Sequence, residues 1–340
     1  MTKKLSQSSR HFSRIRRTLI LGCFGLSGAY LSRKFSPAFS QELPNNPIVD
    51  SQPDLPSNPI PSIPSTPSTP STPSQPLEVI NNEQKVEFIE RTVGGILLYQ
   101  TIVNLKDSEQ LLNIGLANQA PQANSNVTSY GDQEFMELVK HHQGAVTTNG
   151  TFFSKDEEKR VMGNMVAAGT FLKYSQWENY GTTLGIKAGN QLEMVTARVE
   201  GQPNWQNHWF SLTCGPRLLK GGEIWLNPQQ EGFQDPHVFD AGWRNAIGFP
   251  SSGDAIYLAT FQKILTLKEE AELMKAIGCT EAMNLDGGAS RSLAYRDQVI
   301  IPAGRKLTNV IVAHDRLNPA PEYLKDSWRR FQNGERARLP

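Results

Sequence analysis

Cysteine is scarce, with three in 340 residues, which excludes a small domain held together by disulfides. Long apolar runs are missing as well: the most apolar stretch, Thr18 to Leu31, falls short of the roughly 20 residues that a membrane-crossing helix needs. Neither sign of charge dominates, since 34 Lys+Arg face 33 Asp+Glu. The balance is uneven along the chain. Lys3, Lys4, Arg10, Arg14, Arg16, Arg17, Arg33 and Lys34 fall in residues 1–40 with no acid among them, leaving 26 basic and 33 acidic residues in 41–340. That body has no basic field to attract nucleic acid. His-Glu-x-x-His and Cys-x-x-Cys are both absent, so no metal and no cofactor is expected.

What is present divides the chain into four parts. Basic residues precede the apolar run, and Ser36-Pro37-Ala38-Phe39-Ser40-Gln41 follows it with small residues at 38 and 40; this order predicts an export signal or signal anchor over 1–40. Arg16-Arg17-Thr18-Leu19-Ile20 also resembles a twin-arginine signal. The expected location is therefore periplasmic or extracellular, with membrane attachment only through an uncleaved N-terminal segment. Eleven of the 22 prolines lie between Pro44 and Pro76, so 41–77 reads as an extended Pro/Ser/Thr-rich linker. Residues 78–318 read as one globular domain, and 319–340, with Arg329, Arg330, Arg336 and Arg338, as a polar tail.

Strand and helix patterns alternate within the domain. Gly95 to Val103 is rich in β-branched and aromatic residues. A helix is predicted from Asp132 as N-cap to Gly144 as stop, and another after Thr266-Leu267-Lys268-Glu269, which has capping-box spacing. Short strands follow each helix, at 145–148 and 280–285, and Lys220-Gly221-Gly222-Glu223 and Ser251-Ser252-Gly253-Asp254 read as turns. The order predicts an α+β domain of mixed β-sheet with flanking helices.

Three blocks carry candidate chemistry. In Met283-Asn284-Leu285-Asp286-Gly287-Gly288-Ala289-Ser290 a strand ends with two polar side chains facing one way and glycines that let the backbone turn around them; read locally, Asp-Gly is equally a tight turn. Thr148-Asn149-Gly150-Thr151-Phe152-Phe153 places an amide at a strand exit, or forms a type I′ hairpin. In Trp243-Arg244-Asn245-Ala246-Ile247-Gly248 a guanidinium opens an apolar strand, either to clamp a phosphate or to form a surface ion pair.

Together with Cys214-Gly215-Pro216-Arg217-Leu218-Leu219, these blocks resemble the phosphodiester glycosidase family over about residues 90–315, with Ala289 where a third glycine is usual and Trp243-Arg244-Asn245 where Pro-Arg-Thr is usual. The resemblance implies an enzyme that hydrolyses a glycosyl phosphodiester of N-acetylglucosamine type to free sugar and phosphate monoester. It implies Asp286 as nucleophile or base for water, Arg244 on the phosphate with Arg291 or Arg305 assisting, and Asn149 and Asn284 on the sugar. Gly150, Gly287, Gly288 and Ser290 complete the substrate-binding set. The expected partner is a glycan or sugar phosphodiester. Glu223, Asp240, Asp254 and Asp315 are the candidates for a second carboxylate. Cys214 and Cys279 either pair or remain thiols, and Trp205, Trp209, Trp225 and Trp243 either stack sugars or pack. The alternative is a noncatalytic glycan-binding or exopolysaccharide-assembly protein of the cell envelope.

Overall fold

A computed structural model describes residues 85–340; the predicted signal and the whole of the predicted linker lie outside them. Strand periodicity organises three antiparallel sheets. The largest runs in the order Glu87–Val93, Ile96–Asn104, Ala255–Leu265, Gly242–Phe249, Glu281–Asn284, Arg217–Lys220, Glu223–Ile224. Alternate residues face opposite sides of a strand, and the neighbours Gly242–Phe249 and Glu281–Asn284 show the consequence. Ala246 and Ala282 pack beneath helix Leu267–Ala276 with Leu98, Phe261 and Met274. Ile247 and Met283 point the other way, into the main core.

That helix starts where its sequence says it should. The Thr266 hydroxyl accepts from Glu269 N, and the Glu269 carboxylate accepts from Thr266 N at 2.8 Å. Helix Phe135–His142 begins later than expected, with Glu134 rather than Asp132 at its N-cap, and ends at Gln143, which adopts a left-handed φ of 48°. It lies on the second sheet, ordered Gln298–Ile301, Leu293–Tyr295, Val146–Asn149, Asn309–His314, Leu111–Leu116. The third sheet is ordered Thr170–Lys173, Met165–Ala167, Phe210–Cys214, Thr182–Ile186, Leu192–Thr196.

Three expectations are corrected. Every strand pair among the described residues is antiparallel, in three sheets rather than one mixed sheet. Parallel neighbours need long crossovers, usually helical, and few long helices are present to provide them. Asn149-Gly150 is no hairpin: neither residue has positive φ, and Val146–Asn149 pairs with Leu293–Tyr295 and Asn309–His314. Residues 319–340 are more than the expected polar tail. Helix Glu322–Gln332 buries Leu324 and Phe331 in the main core, and Trp328 packs at a tilt against Trp209 with centroids 4.8 Å apart. Among the described residues no helix is long and apolar enough to cross a membrane.

Candidate active site

Two strand ends meet where the glycine-rich blocks leave their sheets. Asp286 N donates to Gly150 O at 3.1 Å, and the Asn149 amide donates back to the Asp286 carbonyl. The Asn149 oxygen accepts from Ser292 N at 3.0 Å and from Asn245 Nδ2 at 2.5 Å. One buried amide thus ties together the exits of three strands. Gly150 packs against Asn309, whose Oδ1 accepts from Thr151 N at 2.8 Å and whose Nδ2 donates to Thr151 O at 3.1 Å. Asn284 is fully buried and donates to Gly215 O at 2.9 Å.

The paired glycines serve different needs. A Cβ on Gly287 would lie 2.3 Å from Trp243 O, whereas Gly288 has φ of 57° beside open space. Backbone cannot yield as a flexible side chain can, so Gly287→Ala is expected to destabilise the protein by about 1–3 kcal/mol through overpacking and to displace Asp286. Gly288→Ala costs about 1–2 kcal/mol through its left-handed backbone alone. Turnover separates the two, because only Gly287→Ala displaces Asp286, and equal retention of activity in both variants would contradict the assigned crowding at 287.

The acid lies at the centre. Asp286 is 6% exposed, and Arg305 Nη2 donates to its Oδ2 at 2.8 Å. Arg305 Nε donates to Ser290 Oγ at 2.6 Å, and its guanidinium carbon lies 4.2 Å from the Phe153 ring centroid. Burial raises the Asp286 carboxyl above the usual range, while Arg305 and the Ser290 hydroxyl act to lower it. Nearby, Tyr180 packs on Phe233 at 4.4 Å. Its phenol is held protonated by burial, then by the charges of Cys214, Glu231 and Asp286. Glu231 accepts from Thr182 Oγ1 at 2.7 Å and from Arg217 N at 2.9 Å, and burial pushes its carboxyl up to about 7.

Arg244 does not join this group. It sits within a register shift in its strand, between Trp243 and Asn245, and its side chain takes the face opposite Asn245. There Nη2 donates to Val238 O at 3.1 Å and Asp240 O at 2.5 Å, and Nε lies 3.9 Å from Glu270 Oε2. Strand alternation turns the predicted phosphate clamp away from Asp286 and brings Asn245 in its place.

The sequence pattern of the phosphodiester glycosidase family matches residues 142–314, half of the chain. The chain belongs to that family. It is accordingly a glycosidase-type hydrolase. No curated protein sequence matches it. Among solved structures its fold is similar to the catalytic domain of zebrafish N-acetylglucosamine-1-phosphodiester alpha-N-acetylglucosaminidase, described as auto-inhibited by its pro-peptide, with TM-score 0.53, 16% identity and coverage of 69% of this chain and 83% of that one. A hypothetical protein from Synechocystis matches with TM-score 0.49 and 16% identity over 68% of this chain, which spans 62% of that protein's length. A putative exported protein from Burkholderia pseudomallei matches with TM-score 0.47 and 10% identity over 64% of this chain and 74% of that one.

Within this phosphodiester glycosidase the remaining expected residues are dispersed. Arg291 stacks over Trp243 at 3.9 Å and donates to Phe261 O. None of the four expected second carboxylates contacts Asp286. Glu223 pairs with Lys275, Asp254 with Lys106, and Asp315 with Arg296, while Asp240 uses its backbone carbonyl to hold Arg244. Trp205 and Trp209 are core residues, Trp243 is partly exposed, and Cys214 and Cys279 are buried free thiols. The described residues contain no group of three or more His, Cys, Asp or Glu able to hold a metal. Sequence reasoning missed Tyr180, Glu231 and Asn309, and gave Phe153 no role of its own. Asn309, beside Thr308 before an apolar strand, repeats the polar strand-end pattern of Asn149 and offered the one local signal.

Proposed function

We propose that the chain is an exported hydrolase cleaving a sugar-1-phosphodiester of N-acetylglucosamine type to free sugar and phosphate monoester. The observation that carries this reading is the Asp286–Arg305–Ser290 constellation beside the open backbone at Gly288. A phosphate leaving group is anionic and weakly basic, so the reaction needs a cation on the phosphate and a carboxylate at the sugar more than it needs a strong general acid. Arg305, one-third exposed at its side chain, takes the phosphate, and its partial withdrawal from Asp286 frees that carboxylate to attack the anomeric carbon or activate water. Tyr180, kept protonated, donates to a sugar hydroxyl. Asn149 and Asn284 hold the loops. Export is supported by the basic and apolar order of the first forty residues.

The test is release of free sugar from an N-acetylglucosamine-1-phosphodiester by the purified protein. Closure of Asp286 by Arg305 favours the competing noncatalytic reading, so absence of release with glycan binding intact would overturn the hydrolase. Arg305→Ala is expected to lower kcat/KM on phosphodiesters by roughly 10²–10³-fold, the cost of one charge-stabilising donor, and on aryl glycosides by far less. Because Arg305 lowers the Asp286 pKa, its loss moves the acid limb of the pH profile to higher pH. Equal losses on both substrate classes would exclude the phosphate role.

A further inference from the structure

Glu270 is fully buried, and neither of its carboxylate oxygens has a hydrogen-bond partner. A buried carboxyl left without a hydrogen bond is costly, and Arg244 Nε lies 3.9 Å away. Arg244 in turn bridges elements that sequence keeps apart, donating to Val238 and Asp240 in the 236–241 turn and, at 3.4 Å, to Leu265 at the end of the neighbouring strand. From the proposed hydrolase reading we infer that Arg244 and Glu270 form a positioning pair, fixing the 243–245 strand end in the place that the Asp286 site requires.

The connection is short and continuous. Trp243 O is the atom that Gly287 packs against. Asn245 O accepts from Leu285 N at 2.7 Å, and Asn245 Nδ2 donates to Asn149 Oδ1, whose own amide holds the Asp286 carbonyl. The residues on both sides of Arg244 therefore support the backbone on both sides of Asp286. The Arg244 side chain makes its own contacts away from Asp286, with Val238, Asp240, Leu265 and Glu270.

The pair also titrates. Burial pushes the Glu270 carboxyl up to about 8, against the opposing field of Arg244. Other ionisable groups on the helix and the strands it covers have partners elsewhere or are neutral. Arg217 faces Glu200 and Glu281, Lys220 faces Glu200, Glu223 faces Lys275, and Lys268 faces Glu272. Glu269 caps the helix, Lys263 is exposed, and burial keeps Cys279 and Tyr257 protonated. Below about pH 8 Glu270 is neutral and Arg244 stays on the carbonyls. Above it, the carboxylate draws the guanidinium from Val238 and Asp240, and the strand end loosens.

The test compares wild type, Glu270→Gln and Arg244→Met/Glu270→Met, the double variant guarding against misfolding because an apolar pair replaces a buried charged one. Wild-type kcat is expected to fall as pH rises through about 8 with KM changed less than about twofold; Glu270→Gln lacks that limb. The double variant still unfolds cooperatively but has kcat reduced roughly tenfold or more, equally on phosphodiesters and aryl glycosides. Trp243 emission, isolated by difference against Trp243→Phe, gives a substrate-free readout and should change near the same pH in wild type alone. A protein that shows the Trp243 transition without turnover supports the pair and overturns the hydrolase. Superimposable pH profiles for wild type and Glu270→Gln, or full kcat in the double variant, overturn the pair.

Discussion

Asp286→Asn is expected to lower kcat for sugar release roughly a thousandfold, within the range by which a positioned carboxylate accelerates such a step, while leaving the melting temperature unchanged or higher. The two effects share one cause. Burial raises the Asp286 carboxyl above its ordinary range, so the folded protein binds that proton more tightly than the unfolded chain does. The stabilising effect is full below the unfolded pKa and is lost as pH rises through the folded one. Once pH rises above the folded pKa the site carries the cost of an ionised buried acid, which asparagine removes at nearly constant shape. The expected remnant of KM is close to wild type, since Arg305 still presents its guanidinium to phosphate. Steady-state kinetics with calorimetry checks both halves, and turnover within tenfold of wild type would remove Asp286 from the chemistry.

Deletion of residues 319–340 is expected to leave the protein unable to fold. Helix Glu322–Gln332 places Leu324 and Phe331 in the main core, at 0% and 2% exposure, and Trp209 Nε1 donates to Ser327 at 3.0 Å. Truncating a buried leucine costs about 2–5 kcal/mol and a buried phenylalanine about 3–5 kcal/mol, which together approach a whole domain's stability of about 5–15 kcal/mol. Leu324→Ala gives the graded version, with a lowered denaturation midpoint and unchanged kcat because the helix lies outside the Asp286 neighbourhood. Soluble, cooperatively unfolding protein ending at residue 318 would show that the segment is dispensable.

The spacing that buries this helix, Leu324, Trp328 and Phe331, is visible in the chain, but arginines between those positions give the segment a polar average. Periodicity and mean polarity conflicted there, and periodicity decided the structure. Thr266 and Glu269 were legible for the opposite reason: a capping box closes within four residues and depends on no distant partner. Asp286 with its glycines was legible as a strand-end pocket because the conformational freedom of glycine is a local property. Arg305 was readable only as a helper to Arg244, and its contact with Asp286 joins positions 19 residues apart.

The sequence by itself determined the short strands, the capped helix, the glycine turn at 287–288 and the family to which the chain belongs, since each rests on neighbouring residues or on motif order. Tertiary structure decided which arginine meets the acid. Side chains alternate across a strand, and the register shift after Trp243 sets which face residue 244 takes; that register is imposed by partners at 260 and 264 that no local pattern specifies. Arg244 was thereby sent beneath the helix to Glu270, and Arg305 was left to face Asp286.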